Sequence, residues 1–197
     1  MNPAAAPAEL RNPYPGLRPF DVHEFESFFG RDQQVDELLV RLRDRRFVAV
    51  VGLSGSGKSS LVRAGLIHRL QVGHLTSAGS KWRVSLFRPG SHPIEALGDA
   101  LYEALGKSPD RTANLRKHTQ RLLDSTRAGR EPDENLLLVV DQFEEIFRFL
   151  REERLSHRDA THFVDLLLAP EQDLSPDFRV LSFSAFDMPP KPDNVPR

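Results

Sequence analysis

The stretch that decides the fold lies in the first third of the chain and reads FVAVVGLSGSGKSSLVRAGL, residues 47–66. Its opening residues, Phe47 to Val51, are apolar and mostly β-branched, a composition typical of a strand buried on both faces of a parallel sheet. Apolar residues then recur at helical spacing from residue 58 to 71, which predicts a helix. The sequence therefore predicts a buried strand and a helix joined by a glycine-rich loop.

The loop matches the phosphate-binding pattern G-x-x-x-x-G-K-[ST]. Glycines let the backbone curl so that successive N–H groups point at one phosphate, and the N-terminus of the next helix adds donors and a favourable dipole. A random match in a chain of this length has odds on the order of one per cent, given a glycine frequency of about 7%. Lys58 is expected on the β- and γ-phosphates and Ser59 on Mg²⁺. The predicted nucleotide contacts are Gly52, Ser54, Gly55, Ser56, Gly57, Lys58, Ser59 and Ser60.

A second buried strand, residues 136–140, ends in Asp141. An acidic residue at the carboxyl end of a strand beside the phosphate loop can hold Mg²⁺ through water, so Asp141 is the second predicted metal ligand. Glu144 and Glu145 follow, and either can orient or deprotonate an attacking water. We prefer Glu145, although the spacing alone does not separate the two. The alternative for both is a structural role at a helix N-terminus, where the dipole favours negative charge.

The rest of the chain alternates between strand and helix patterns, which indicates an α/β fold with a parallel sheet and right-handed crossovers. We therefore predict a three-layer P-loop NTPase sandwich. Further strands are predicted at 82–87 and 178–183, and further helices at 32–46, 93–105, 112–127, 143–153 and 158–168.

Composition excludes several classes of protein. Cysteine is absent, which excludes disulfide scaffolds, thiolate zinc sites and cysteine nucleophiles. The net charge of -1 argues against nucleic acid as a partner. No apolar run approaches the ~18 residues of a membrane span, and the N-terminus lacks the pattern of a secretory signal. We therefore expect a cytoplasmic protein without a membrane span.

The 15 prolines cluster at the two ends of the chain, where they disfavour helix interiors and central strands. Residues 1–20 are predicted to form an extended N-terminal arm with a tight turn at Pro15-Gly16, whose apolar side chains can dock on the domain. The P-loop domain is expected to span residues 21–184. Residues 185–197 are expected to be a proline-rich, disordered tail.

With these residues placed, the chain resembles the STAND family of signal-transduction ATPases, and within it the bacterial branch whose domain begins with an Asn-Pro-Tyr-x-Gly-Leu-x-x-Phe arm. Four elements in the same order carry the resemblance, which covers about residues 12–183. They are NPYPGLRPF (12–20), FFGRD (28–32, with Asp in place of the family's Glu), VVGLSGSGKSSLVRAGL (50–66) and LVVDQFEEIF (138–147).

The resemblance implies a role for Phe29, Gly30 and Arg31, which in related proteins line the adenine and ribose side of the pocket. The alternative is a turn before a helix, with Phe29 in the core. It also implies a regulatory switch that uses ATP, ADP and Mg²⁺, closed with ADP and open and oligomerising with ATP. Protein partners or further copies would act through regions absent from this chain.

The sequence departs from the family after the last predicted strand. Relatives continue into Thr-x-Arg-x-Asp-Phe, whereas residues 182–187 read SFSAFD and contain no arginine. We therefore expect a P-loop sheet that is incomplete at the C-terminus, with a truncated or out-of-frame end from about Ser182. This leaves two alternatives open. One is a truncated interaction module with weak catalysis. The other is a small-molecule kinase, which would need an arginine-bearing lid that we do not recognise.

Overall fold

The computed structural model describes residues 15–75, 81–106, 134–172 and 178–185. The predicted helix at 112–127, the first part of the N-terminal arm and nearly all of the predicted tail lie outside these residues. The tight turn predicted at Pro15-Gly16 is present, and Gly16 has a φ of +74°. Among the described residues, no helix combines the length and the apolarity that a membrane span requires.

Within the described residues the sheet has four strands, and every neighbouring pair in it is parallel. Its order, β1-β4-β3-β2, places the last strand between the strand that precedes the glycine-rich loop and the strand that precedes Asp141. The carboxyl ends of all four strands therefore meet at one edge of the sheet. The strands are β1 (Phe47–Gly52), β2 (Lys81–Phe87), β3 (Glu134–Val140) and β4 (Phe178–Ala185).

The helices lie close to their predicted positions. The first ends at Asp44, two residues earlier than predicted, because Arg45 is already extended as the chain turns into β1. A short 3₁₀ helix, Val22–Ser27, precedes them and begins with a capping box formed by Asp21 and Glu24. The helices are α1 (Asp32–Asp44), α2 (residues 58–71), α3 (Pro93–Ala104), α4 (Glu145–Arg151) and α5 (His157–Gln172).

Helix α2 is not uniform along its length. Its middle, Leu61–Ile67, is wound as a π-helix between α-helical ends, a feature that often occurs at functional sites. Gly65 lies in this segment, where a methyl group would come within 2.6 Å of Val35 Cγ2 and 3.2 Å of the Phe28 ring. The missing side chain therefore lets α1 and the segment before it pack closely against α2.

Apolar side chains cover both faces of the sheet. Alternate residues of β3 enter different cores: Leu136 and Leu138 face α3, α4 and α5, while Leu137 and Val139 face α1 and α2. A strand buried on both faces needs apolar residues at every position, which is why the continuous apolar run of β3 suits it. The predicted three-layer α/β sandwich is confirmed.

Candidate nucleotide-binding site

The loop after β1 has the backbone that its glycines predict. Gly55 and Gly57 have φ values of +72° and +81°, which side-chain-bearing residues rarely adopt. Within the loop, the Ser56 amide donates to the Leu53 carbonyl at 3.2 Å, and at its end the Leu61 amide donates to the Gly57 carbonyl at 2.9 Å. The loop thus curls back on itself and leads directly into α2.

Lys58 lies inside this curl. Its Nζ donates to the carbonyls of Gly52 at 2.9 Å and Leu53 at 2.7 Å, and lies 3.5 Å from Ser56 Oγ. All of these acceptors belong to the loop itself. Since a charged phosphate oxygen is a stronger acceptor than a neutral carbonyl, an incoming phosphate can take over these hydrogen bonds.

A cavity of about 690 Å³ lies over the loop, at the edge where the strands end. This volume is within the range of small-molecule sites. Most of the predicted nucleotide contacts line it, together with Asp141 and one of the two candidate glutamates. Three parts of the chain form its walls: Ser54, Gly55, Gly57, Lys58, Ser59 and Ser60 of the loop and helix; Asp141, Gln142, Glu144, Phe183 and Ala185 at the strand ends; and residues 15–20 of the arm.

Asp141 is buried, with 2% of its surface exposed, and two arginines hold it. Its Oδ2 accepts hydrogen bonds from Arg63 Nη2 at 3.1 Å and from Arg88 Nε at 3.3 Å. Arg63 follows Ser59 by four residues on α2, so the two side chains share one helix face. Asp141 therefore lies beside the face of α2 that carries Ser59.

The residues present fit the Mg²⁺ ion that the motifs imply. Ser59 and Asp141 both line the cavity and supply a hydroxyl and a carboxylate, the oxygen donors that Mg²⁺ prefers. The side-chain hydrogen bonds described for Asp141 both go to Oδ2, which leaves Oδ1 for a further ligand. Mg²⁺ usually takes only one or two protein ligands, and phosphates and water complete its shell.

The two candidate glutamates occupy different environments. Glu144 lines the cavity, and its Oε2 is a buried oxygen for which the described part of the chain offers no hydrogen-bond partner. Glu145 begins α4 and pairs with Arg148 Nη2 at 2.9 Å, one turn along the helix. Geometry therefore favours Glu144 as the residue that faces a bound ligand, in contrast to the preference for Glu145 stated from the sequence.

Gln142, which pattern analysis missed, has a φ of +56° although it carries a side chain. Such a conformation costs of order 1–3 kcal/mol and persists where the surroundings impose it, often at a functional site. Gln142 lies in the turn between β3 and α4 and lines the cavity together with Glu144. No sequence signal marks this strain, because glutamine has no preference for positive φ.

The residues expected on the adenine side lie next to the loop rather than in the cavity over it. Arg31 Nη1 donates to the Ser56 carbonyl of the loop at 2.7 Å, and Arg31 does not line the cavity. Phe29 is 76% exposed, so its ring lies at the surface and not in the core. Gly30, between them, has a φ of +78°. A base-stacking role for Phe29 stays a prediction.

Comparison with known proteins identifies the family. The family model described as Novel STAND NTPase 1 matches residues 13–186, almost the whole chain. The chain belongs to this family. The resemblance seen in the four sequence elements is thereby confirmed at the level of the family.

This STAND NTPase is also similar to individual proteins. It is 34% identical over 99 residues to the aliphatic sulfonates import ATP-binding protein SsuB of a Mycobacterium species (strain MCS), covering 48% of this chain and 40% of that protein. The solved structures it resembles include the Walker-type ATPase PABY2304 of Pyrococcus abyssi (TM-score 0.51, 18% identity, 86% of this chain and 48% of that one). Another is the Aeropyrum pernix ORC2 protein, with a TM-score of 0.58 and 16% identity; the match covers 80% of this chain and 42% of that one. The two structures show a shared P-loop NTPase fold, and the chain spans less than half the length of each of these three relatives.

Proposed function

We propose that this STAND NTPase chain is a regulatory switch domain of signal transduction that binds ATP and ADP with Mg²⁺ and hydrolyses ATP. The observation that carries the proposal is the convergence of Lys58, Ser59, Asp141 and Glu144 on one cavity. These residues come from two distant parts of the chain. Their meeting is what a phosphate site, a metal site and a water-activating group require of one pocket.

Each residue has a role that its position supports. Lys58 and the loop amides would hold the phosphates, exchanging the loop carbonyls for phosphate oxygens. Ser59 and Asp141 would hold Mg²⁺, which when bound would neutralise the charge of the transferred phosphoryl group. Glu144 would orient or deprotonate the attacking water, because its carboxylate lies at the cavity wall and its buried Oε2 lacks a described partner.

The switch requires that ATP and ADP differ in affinity for two states of the protein. In this proposal the differential contact lies at the γ-phosphate end of the cavity, beside Asp141 and Glu144. Protein partners or further copies of the protein would read the change of state through parts outside this chain. A cytoplasmic location fits a chain without cysteine.

The proposal is tested by thermal unfolding of the full chain with ATP, ADP and a non-hydrolysable ATP analogue, each with and without Mg²⁺. A ligand at 100 times its Kd stabilises the folded state by about 2.7 kcal/mol, which raises the Tm by several degrees. We expect this shift in the wild type and its loss in Lys58→Ala. An unchanged wild-type Tm, or an equal shift in both proteins, would refute nucleotide binding at this loop. Nucleotide binding without phosphate release would favour the alternative of a catalytically weak module.

A further inference from the structure

The N-terminal arm forms one wall of the cavity. Residues 15–20 line it together with the loop and the acidic strand ends. The arm is tied down where it meets the domain: the Phe20 amide donates to Ser60 Oγ at 3.1 Å, and the Phe20 ring packs edge-on against Phe28 with centroids 5.9 Å apart. Ser60 follows Lys58 by two residues, so this anchor holds the arm beside the phosphate loop.

Arg18 is the cation of this wall. Its guanidinium donates to both carboxylate oxygens of Glu24, at 2.6 and 2.7 Å, and this hydrogen-bonded pairing raises the pKa of Arg18. The Arg18 side chain is 55% exposed and that of Glu24 is 34% exposed. An ion pair between such exposed groups contributes little to stability, so the guanidinium can change partner at small cost.

The charges around the cavity leave a role for a second cation. Among its described lining residues, Lys58 and Arg18 are positive, and Asp141 and Glu144 are negative. Asp141 is already paired with two arginines that do not line the cavity, and a nucleoside triphosphate carries several negative charges, so its phosphates can use a second cation beside Lys58. Arginine suits the missing role, because its planar fork can hold two phosphate oxygens at once and stays charged at any physiological pH.

We propose that Arg18 is a phosphate-contacting residue that leaves Glu24 when a nucleoside triphosphate binds and thereby draws the arm over the ligand. This inference rests on the proposed function of the cavity and extends the site beyond the phosphate loop. Glu24 then acts as the resting partner of Arg18. It keeps the guanidinium at the cavity wall and competes with the ligand for it.

The test compares three variants of the full chain by calorimetric titration with Mg-ATP. Arg18→Gln should weaken binding about 10- to 100-fold, the worth of one charge-assisted contact. Glu24→Gln removes the competitor while keeping an oxygen acceptor, so affinity should stay the same or rise by up to about fivefold. Arg43→Gln is the matched control, because Arg43 forms a similarly exposed pair with Asp44 and does not line the cavity. Its affinity should equal that of the wild type.

Two results would overturn the inference. One is wild-type affinity in Arg18→Gln. The other is an equal loss in Arg18→Gln and Glu24→Gln, which would mean that the pair only holds the arm in place. Unfolding without nucleotide checks that the variants fold. The proposed function fails separately: the wild type would then bind no ATP, whereas loss of binding in Lys58→Ala with full binding in Arg18→Gln would refute the role of Arg18 alone.

Discussion

The segments that follow β1 and β3 both line the cavity, but their charged residues are held by different kinds of partner. After β1 the chain leaves the sheet as a glycine-rich loop, and the loop's cation, Lys58, bonds to acceptors of the same loop. After β3 it leaves with a buried carboxylate, Asp141, which is held by Arg63 from α2 and Arg88 from the end of β2. One half of the site is built from neighbours along the chain, and the other from three separate elements.

The difference shows where each half obtains its stability. The described hydrogen bonds of Lys58 go to neutral loop acceptors, which are weaker partners for a cation than a carboxylate. The charge of Asp141 is compensated by the two arginines that pair with it. A buried carboxylate without partners would cost several kcal/mol. Removal of the Lys58 side chain should therefore affect ligand binding alone, whereas removal of the Asp141 carboxylate should affect both binding and folding.

The largest expected effect separates the two glutamates on the acidic side. Glu144→Gln should reduce the rate of ATP hydrolysis by about 10²- to 10⁴-fold, the usual contribution of a general base. Glu145→Gln is the matched control, since it removes only a carboxylate that pairs with Arg148. Phosphate release under saturating Mg-ATP measures both rates. A larger loss in Glu145→Gln would restore the assignment preferred from the sequence.

The next effect tests the contrast in stability directly. Asp141→Ala leaves the guanidinium of Arg63, whose side chain is only 21% exposed, without its partner. We expect a loss of about 2–3 kcal/mol in the free energy of unfolding, below the value for a fully buried pair because both arginines reach solvent. Lys58→Ala should change the free energy of unfolding by less than about 0.5 kcal/mol. Urea denaturation without nucleotide measures the change in both variants. Equal losses would contradict the expected difference between the acidic side and the loop side.

The smallest effect concerns the backbone of the loop. Gly57→Ala places a side chain at a φ of +81° and 3.1 Å from Arg31 Nη1, and Gly73→Ala at a φ of +84° with nothing within 4 Å. Each should cost about 1–2 kcal/mol of stability from the positive φ. Only Gly57→Ala should also abolish the thermal shift by Mg-ATP. If Gly73→Ala abolished it too, the effect would be a general loss of folding rather than damage to the loop.

Most of the fold could be predicted from the sequence, because its signals are local. The apolar run at 136–140 and the helical spacing at 93–105 each report their own burial, and the structure places β3 and α3 within two residues of these ranges. The loop after β1 was equally predictable, since consecutive residues supply both its curl and its cation.

The acidic half of the site and the arm were less predictable. Arg63 and Arg88 lie in ordinary helix and loop contexts, and only the strand order β1-β4-β3-β2 brings them to Asp141. Glu144 and Glu145 are adjacent residues of the same type, so the sequence does not distinguish them. They follow Gln142, whose φ is positive, and the structure gives them different surroundings. Arg18 is one charge in a proline-rich segment, and its place at the cavity wall depends on the Phe20–Ser60 hydrogen bond.

By itself the sequence determined the elements, the glycine-rich loop and the place of an acidic residue at the end of β3, because each depends on residues adjacent along the chain and on their burial. The tertiary structure decided which arginines hold Asp141, which glutamate lines the cavity and which part of the arm lines it. Those choices depend on how elements far apart in sequence pack against one sheet edge. Hydrogen bonds and close ion pairs need separations of about 3–4 Å, so residues that carry the same sequence signal acquire different roles once the fold has placed them.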